Sequence, residues 1–283
     1  MTSATNRALA GLLTARTGQA LPDSRLWRLD TALVAVLRDH DLESLDALVD
    51  RLQAGDPALA RQVVEALLNH ETYFFRDRPM FDLLASRVLP ELADRRAEQK
   101  RITVWSAGCS TGQEALTLAM LFAGPETRWA GWTIDILGTD VSESAVSAAR
   151  SGRYSQFQIQ RGLSVTEMIR WFDAVDDGWQ ARTPLLDMVR YEARNLFDAP
   201  SGTSFDLVLC RNVLLYFDAP NRERAFGRLA GALAPDGWLM LGSGETVIGQ
   251  TDRLVPAPDV QGLYRRADPA TFPRFSPGQR AAS

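Results

Sequence analysis

The stretch RITVWSAGCSTGQEALTLA, Arg101 to Ala119, sets three kinds of residue in a fixed order. Ile102, Val104 and Trp105 form a short β-branched and aromatic run, as a buried strand requires. Ala107 to Gly112 holds only small residues, and Glu114, Ala115, Leu116, Leu118 and Ala119 then resume at helical spacing. A strand, a small-residue turn and a helix start can cradle a nucleotide-type ligand. Glycines, among them Gly108, let the backbone approach closely, and a helix start presents unpaired N–H groups. The loop lacks full GxGxxG spacing and has no Lys-Ser/Thr pair after its last glycine, which excludes a P-loop. Alone it could equally be a tight strand–helix turn, so its neighbours decide.

Asp140 closes a second apolar run, Thr133 to Leu137 followed by Gly138-Thr139. An acid at the end of a second strand, about 20–30 residues past the glycine turn, is where a ribose diol is gripped. Asp140 could also cap the next helix, Ser142 to Arg150, and could do both. Phe205 to Cys210 is the clearest buried strand and runs into Arg211 and Asn212, polar residues at a carboxyl end where open α/β sheets bind ligands. The segment NHETYFFRDRPMF, residues 69 to 81, is dense in aromatics and carries Arg76 and Arg78. Tyr73, Phe74, Phe75 and Phe81 read as an apolar plug between domains, while His70, Glu71, Thr72 and Arg76 on the same segment point to a second task.

The elements that must hold these residues follow from periodicity. Residues 1 to about 20 are polar and Ala/Thr-rich and read as partly mobile. From Ser24, three helical faces follow: Leu26, Leu29, Leu33, Val36 and Leu37; then Leu42, Leu45, Leu48 and Leu52; then Leu59, Val63, Val64, Leu67 and Leu68. Asp56 reads as a helix cap with Pro57 in the first helical position. This predicts an N-terminal helical domain over 1–68, a linker over 69–81 that contributes to the site, and an α/β domain over 82–267. Within the last, residues 151 to 195 break the alternation. Val165 to Phe172 reads as one short helix, and GWQAR and MVRYEAR as two antiparallel strands across Pro184, which predicts an inserted β-subdomain over about 154–194. Residues 268–283, rich in Pro, Ser and Gly, read as a disordered tail.

Composition narrows the function classes. The chain has 283 residues, 46% hydrophobic and 23% charged, enough for a real core. Its net charge of -4 argues against a nucleic-acid-binding surface. No apolar run reaches the roughly 18 residues that span a bilayer, and no signal peptide is read at the start. Cys109 and Cys210 have no metal or disulfide spacing, and the two histidines lie in the first third, so no metal site and a cytoplasmic location are expected.

NHETYFFRD, WSAGCSTGQE, GTDVS, YSQFQIQRGL, ARNLFD and FDLVLCRNVLLYF, in this order, resemble the chemotaxis-receptor methyltransferase family from about Leu26 to Arg265. The resemblance implies an all-α N-terminal domain and a class I S-adenosylmethionine-dependent methyltransferase domain, Rossmann-like with a mostly parallel sheet and a small antiparallel insert. It implies glutamate methylation on the cytoplasmic helical domain of chemoreceptors. Cofactor contacts are implied at Thr72 and Arg76, at Glu114 after the glycine loop, at Asp140 on the ribose, at Asn195 and Leu196 near the adenine, and at Arg211 and Asn212 near the methionine end and target. Family members usually have Asn two residues before the Thr; here His70 stands there and Asn69 one place early. His70 keeps one hydrogen bond to offer.

A glutamate side chain, with a pKa of about 4.3, is already ionised at neutral pH, so the reaction needs no general base. Arg76 or Arg211 could orient a carboxylate, and Tyr216 could line the slot for the target or be an ordinary packed aromatic. Arg76, Arg78, Arg87, Arg95 and Arg96 are the better candidate for a basic receptor-facing surface, with a solvated helix face as the alternative. Asp173 to Gly178 is short and acidic, which predicts no dependence on a receptor's C-terminal pentapeptide tether. A monomer is expected. The remaining alternatives are methyl transfer to another protein or a small molecule, and a non-catalytic cofactor-binding scaffold.

Overall fold

The computed structural model describes residues 4–124, 127–198, 204–258 and 260–267; the predicted tail over 268–283 lies outside them. Five helices come first: α1 (Ala4–Thr17), α2 (Arg28–Ala32), α3 (Val34–Asp39), α4 (Leu45–Gln53) and α5 (Pro57–Leu67). Leu9, Leu29, Leu33, Leu48, Leu59 and Val63 are fully buried among them. The cap at α5 is as expected: Asp56 Oδ1 accepts the N–H groups of Ala58 and Leu59 at 3.1 and 3.0 Å, and Pro57 opens the helix. The expectation of mobility over residues 1 to 20 fails for 4–17. Leu9 and Leu13, one turn apart, drop into the core beside α4 and α5. Tertiary packing supplies what the weakly amphipathic sequence lacks. The first expected helix is also split at Leu33, between α2 and α3.

Within the end of the linker begins α6 (Arg78–Leu83), followed by a wider π-type turn at Leu84–Val88 and α7 (Leu89–Arg95). Pro90 in the first turn of α7 has no N–H to give to the preceding turn, which accounts for the widening. Then follow β1 (Arg101–Ala107), α8 (Gln113–Phe122), β2 (Thr133–Asp140), α9 (Glu143–Ser151), β3 (Arg153–Tyr154), α10 (Gln156–Gln160), α11 (Val165–Trp171), β4 (Phe172–Val175), β5 (Gly178–Ala181), α12 (Thr183–Leu186), β6 (Val189–Ala193), β7 (Phe205–Cys210), α13 (Ala219–Ala232), β8 (Leu233–Leu241), β9 (Leu254–Pro256) and β10 (Leu263–Arg266).

The main sheet runs β6-β2-β1-β7-β8-β10-β9. Neighbours from β6 to β8 are parallel, and β10 is antiparallel to both of its neighbours. This is the expected Rossmann-like, mostly parallel sheet. Strand β7 is buried at every position. Alternation sends Leu207 and Leu209 to the face that carries α8, and Val208 and Cys210 to the face that carries α13. The carboxyl ends of β1, β2, β6, β7 and β8 lie along one edge, which is where a ligand site belongs.

MVRYEAR does not pair with GWQAR. Strand β5 joins β3 and β4 in a separate antiparallel sheet, order β3-β5-β4, whereas β6 runs parallel to β2 with Val189 opposite Ile136. Pro184 opens the short helix α12 rather than a hairpin turn. The antiparallel insert is therefore the sheet spanning Arg153 to Ala181, not 154–194.

Arg96, beyond α7, braces the opposite edge. Its Nε donates to Asp206 Oδ1 at 2.7 Å and its terminal nitrogens fork onto Asp236 at 2.7 and 2.9 Å. These bonds, led by those to Asp236, hold the guanidinium firmly charged. Asp206 Oδ2 also accepts the Thr103 N–H at 2.8 Å. Asp206→Ala is expected to cost about 2–4 kcal/mol in urea denaturation, because it strands the Thr103 N–H and the Arg96 Nε–H. A loss below about 0.5 kcal/mol would show that the brace carries no stability.

Candidate active site

Gly108 turns the chain out of β1 at φ +81°. Its N–H and that of Cys109 both donate to the Thr139 carbonyl, at 2.7 and 2.9 Å. A Cβ on Gly108 would lie 2.3 Å from Val213 Cγ2, and one on Gly112 2.8 Å from the Tyr191 hydroxyl. The small residues are thus required by close approach. The hydroxyls of Tyr154 and Tyr191 donate to the carbonyls of Thr111 and Gly112, fixing the loop from below.

That loop holds Asp140. The Ser110 N–H donates to Asp140 Oδ2 at 2.8 Å and the Ser142 N–H to Oδ1 at 3.0 Å. Burial nonetheless pushes the Asp140 carboxyl up from its ordinary 3.8, the two N–H bonds offsetting only part of the effect. The cap of α9 is not Asp140 but Ser142, whose Oγ accepts the Ala145 N–H at 3.0 Å. Glu65, from α5, receives the Ser142 and Ser144 hydroxyls at 2.5 and 2.8 Å and the Glu143 N–H at 2.8 Å. Burial would raise its pKa, but these bonds outweigh it and hold Glu65 below the usual range. An acid from the helical segment thereby sits on the N-terminus of α9.

Arg211 closes β7 with a side chain only 1% exposed. Its Nη2 donates to Asp77 Oδ2 and to the Arg76 carbonyl, both at 2.7 Å, and its Nη1 to Glu114 Oε2 at 3.2 Å. Glu114 Oε1 accepts the Ser106 hydroxyl at 2.7 Å. The linker is thus stapled to the strand ends. Phe74 and Phe75 are buried as the plug reading expects, Phe74 packing edge-on against Tyr154 and Phe172. Tyr73 is not part of that plug: the guanidinium of Arg161 lies 4.3 Å over its ring, and it borders the site cleft. Arg76 donates to the Glu71 carbonyl at 2.9 Å and forms no salt bridge among the described residues.

The cleft, about 900 Å³ including its open mouth, lies over the strand ends. Every residue expected at the site borders it: His70, Thr72 and Arg76 from the linker; Gly108 and Glu114 from the loop and α8; Asp140 from β2; Asn195 and Leu196 after β6; Arg211, Asn212 and Tyr216 after β7. His70 touches the loop through its carbonyl, which accepts the Ser110 hydroxyl at 2.9 Å. Asn195 spends its amide on the protein, donating to the Arg16 carbonyl and accepting the Phe197 N–H, both at 3.0 Å. The basic stretch proposed as an open surface is largely paired: Arg78 forks onto Glu167, Arg95 pairs with Glu91, and Arg96 makes the brace already described.

Two contributions were not anticipated. Thr17, the last residue of α1, and Gln19, just beyond it, also border the cleft. Gln19 bridges Phe217, and the Ala20 N–H donates to the Tyr216 carbonyl at 2.7 Å. Gly18, at φ +78° where a Cβ would overlap the Phe197 ring, was the available signal. The second is Glu245, in the small-residue loop after β8. Its Oε2 accepts the N–H groups of Asn212 and Gly242 at 2.8 and 2.9 Å, and its Oε1 those of Val213 and Leu214 at 3.0 and 2.8 Å. That holds Asn212 at φ +60°, with its buried Oδ1 lacking a partner among the described residues. Glu245→Ala is expected to cost about 3 kcal/mol, since five backbone N–H groups, that of Leu215 included, lose their side-chain acceptor; thermal and denaturant unfolding measure it, and an unchanged midpoint would deny Glu245 this role.

The family model described as "CheR methyltransferase, SAM binding domain" matches residues 70–259. Chemotaxis protein methyltransferase 1 of Pseudomonas aeruginosa is 34% identical over 255 residues, covering 88% of this chain and 93% of that protein. Chemotaxis protein methyltransferase Cher2 of Pseudomonas putida is 34% identical over 241 residues, 83% of this chain and 87% of that one. The chemotaxis protein methyltransferase of Vibrio parahaemolyticus is 32% identical over 253 residues, 88% and 91%. With its parallel sheet, antiparallel insert and strand-end cleft, the chain belongs to the CheR methyltransferase family, the S-adenosylmethionine-dependent methyltransferases of chemotaxis.

Proposed function

We propose that the chain esterifies glutamate side chains on the cytoplasmic helical domain of chemoreceptors, acting in the cytoplasm as a monomer on the cleft described above. The observation that carries this reading is a cleft that Asp140 and Arg76 both border, with Arg76 in no salt bridge among the described residues. The cleft fits S-adenosylmethionine. Asp140 uses one N–H contact on each oxygen and keeps lone pairs for a ribose diol. The buried, partnerless Asn212 Oδ1 asks for a donor such as an amino group. Leu196, Val141 and Phe217 supply apolar wall.

S-adenosylmethionine supplies the electrophilic methyl group; a C–S bond breaks and an ester C–O bond forms. The chain's residues do the rest. The target glutamate arrives ionised, so no base is needed. Arg76 orients a carboxylate by charge-assisted hydrogen bonds, and Tyr216 lines the slot beside it. Arg211, whose terminal nitrogens are already engaged, holds the linker rather than the target. Glu114 fixes Arg211, and Thr72, His70, Gly108 and Asn195 complete the cofactor wall. Orientation and exclusion of water supply the rate, worth roughly 7–11 kcal/mol where geometry is near ideal. Cys109 is no nucleophile: burial, then the nearby Asp140 and Glu114 carboxylates, push its thiol well up. The β4–β5 hairpin turns through Asp176 and Asp177, a short acidic tip, and we propose that no pentapeptide tether is used. The proposed division is a helical unit over 1–68, the linker over 69–81 and the methyltransferase unit over 82–267.

Incubation with methyl-labelled cofactor and receptor should place base-labile label on the receptor. Label found only on small molecules, or nowhere, would refute the glutamate reading. Asp140→Ala should weaken binding of S-adenosylhomocysteine by about tenfold or more, as a lost charge-assisted contact would; calorimetry with unchanged affinity would remove Asp140 from the ribose. The pH dependence has a definite sign. A raised carboxyl pKa means that Asp140 takes up its proton at a higher pH than an ordinary aspartate, so affinity should fall as pH drops toward that raised value and level off above it. In Asp140→Asn the slope should vanish.

A further inference from the structure

The amide of Asn69 lies between two partners that settle its orientation. Its Oδ1 accepts the Glu71 N–H at 3.2 Å, so its Nδ2 is the atom 2.7 Å from the Tyr216 hydroxyl. An amide nitrogen can only donate. The Tyr216 oxygen is therefore an acceptor in this contact, and its own proton must point elsewhere. Among the described residues nothing accepts that proton, and Tyr216 borders the cleft. The base of the side chain is fixed as well: the Tyr216 N–H donates to the Val213 carbonyl at 3.1 Å, and its own carbonyl accepts the Ala20 N–H.

We infer that Asn69 is a positioning residue: its amide claims the Tyr216 oxygen and so aims the phenolic proton into the cleft, where it can donate to the carboxylate of the target. This rests on the reading of the target as a carboxylate. It also gives a task to the Asn that stands one place early in NHETYFFRD. The proton is not transferred; it is a hydrogen-bond donor that holds one carboxylate oxygen while the other takes the methyl group. Donation must be weak enough to leave the nucleophile reactive, which suits a neutral phenol better than a second arginine.

The test uses the full chain and a receptor substrate, with turnover and S-adenosylhomocysteine affinity measured separately. Asn69→Ala should lower kcat about three- to tenfold, the value of one neutral hydrogen bond, with cofactor Kd within about twofold of the parent. In a Tyr216→Phe background the same substitution should lower kcat no further. Asn69→Asp, ionised, would accept the phenolic proton and turn it away. Its kcat should fall below that of Asn69→Ala at neutral pH and recover, relative to the parent at each pH, as the new carboxyl takes a proton. Equal losses from Asn69→Ala in both backgrounds, or an Asn69→Asp profile parallel to the parent's, would overturn the inference. One readout needs no turnover: the Asn69 side-chain NH2 resonance should shift in Tyr216→Phe, and a fixed resonance refutes the contact. Failure of the parent enzyme to label glutamate would instead refute the carboxylate reading.

Discussion

Arg211, its side chain buried to 1% exposure, has both terminal nitrogens met by carboxylates from two other parts of the chain, while its Nε has no partner among the described residues. Desolvating such an ion costs several kcal/mol, recovered only when its hydrogen bonds are met with good geometry. Asp77 comes from the linker, Glu114 from α8 and the Arg76 carbonyl from the linker again. Phe81 lies 5.1 Å beneath the guanidinium. A lysine could not serve: three acceptors in different directions need a planar fork. The linker takes costly backbone shapes at Phe75 and Asp77, both with positive φ; Arg211 holds Asp77, and the Thr117 hydroxyl accepts the Phe75 N–H at 3.1 Å.

With the linker fixed, the carboxylates near the cleft divide by how much of their bonding capacity remains. Glu245 is consumed by backbone N–H groups and only shapes the turn that carries Asn212. Glu114 is consumed by Arg211 and Ser106. Asp140 combines deep burial, a raised pKa and spare acceptor sites. Three carboxylates thus serve differently according to which donors reach them first: Glu114 as a staple, Glu245 as a scaffold, and Asp140 as the proposed ligand seat.

The signals legible in the sequence were those confined to one short window. The 101–119 strand–loop–helix, the acid closing β2, the buried β7 run and the Asp56-Pro57 helix start each carry their reason within a few residues. What was misread depends on distant partners. MVRYEAR has strand character either way, and period-two alternation does not say whether the neighbour is β5 or β2. Helix α1 owes its order to leucines meeting α4 and α5. The arginines at 95 and 96 looked like an open basic face because Asp206 and Asp236 stand far from them in sequence, while Glu91 lies one turn away. Glu245 carried no signal beyond an acid in a glycine-rich loop.

The cleft wall has a consequence for how small the working unit can be. Thr17, Gln19 and Leu68 border the cleft, yet all three precede residue 70, where the family match begins. Excising the catalytic half at the linker would leave the pocket missing a side, and with it the seam in which Asn195 donates to Arg16 and Asn221 to Gly18. The amino-terminal helices are thus masonry of the binding chamber itself, not an appendage beside it.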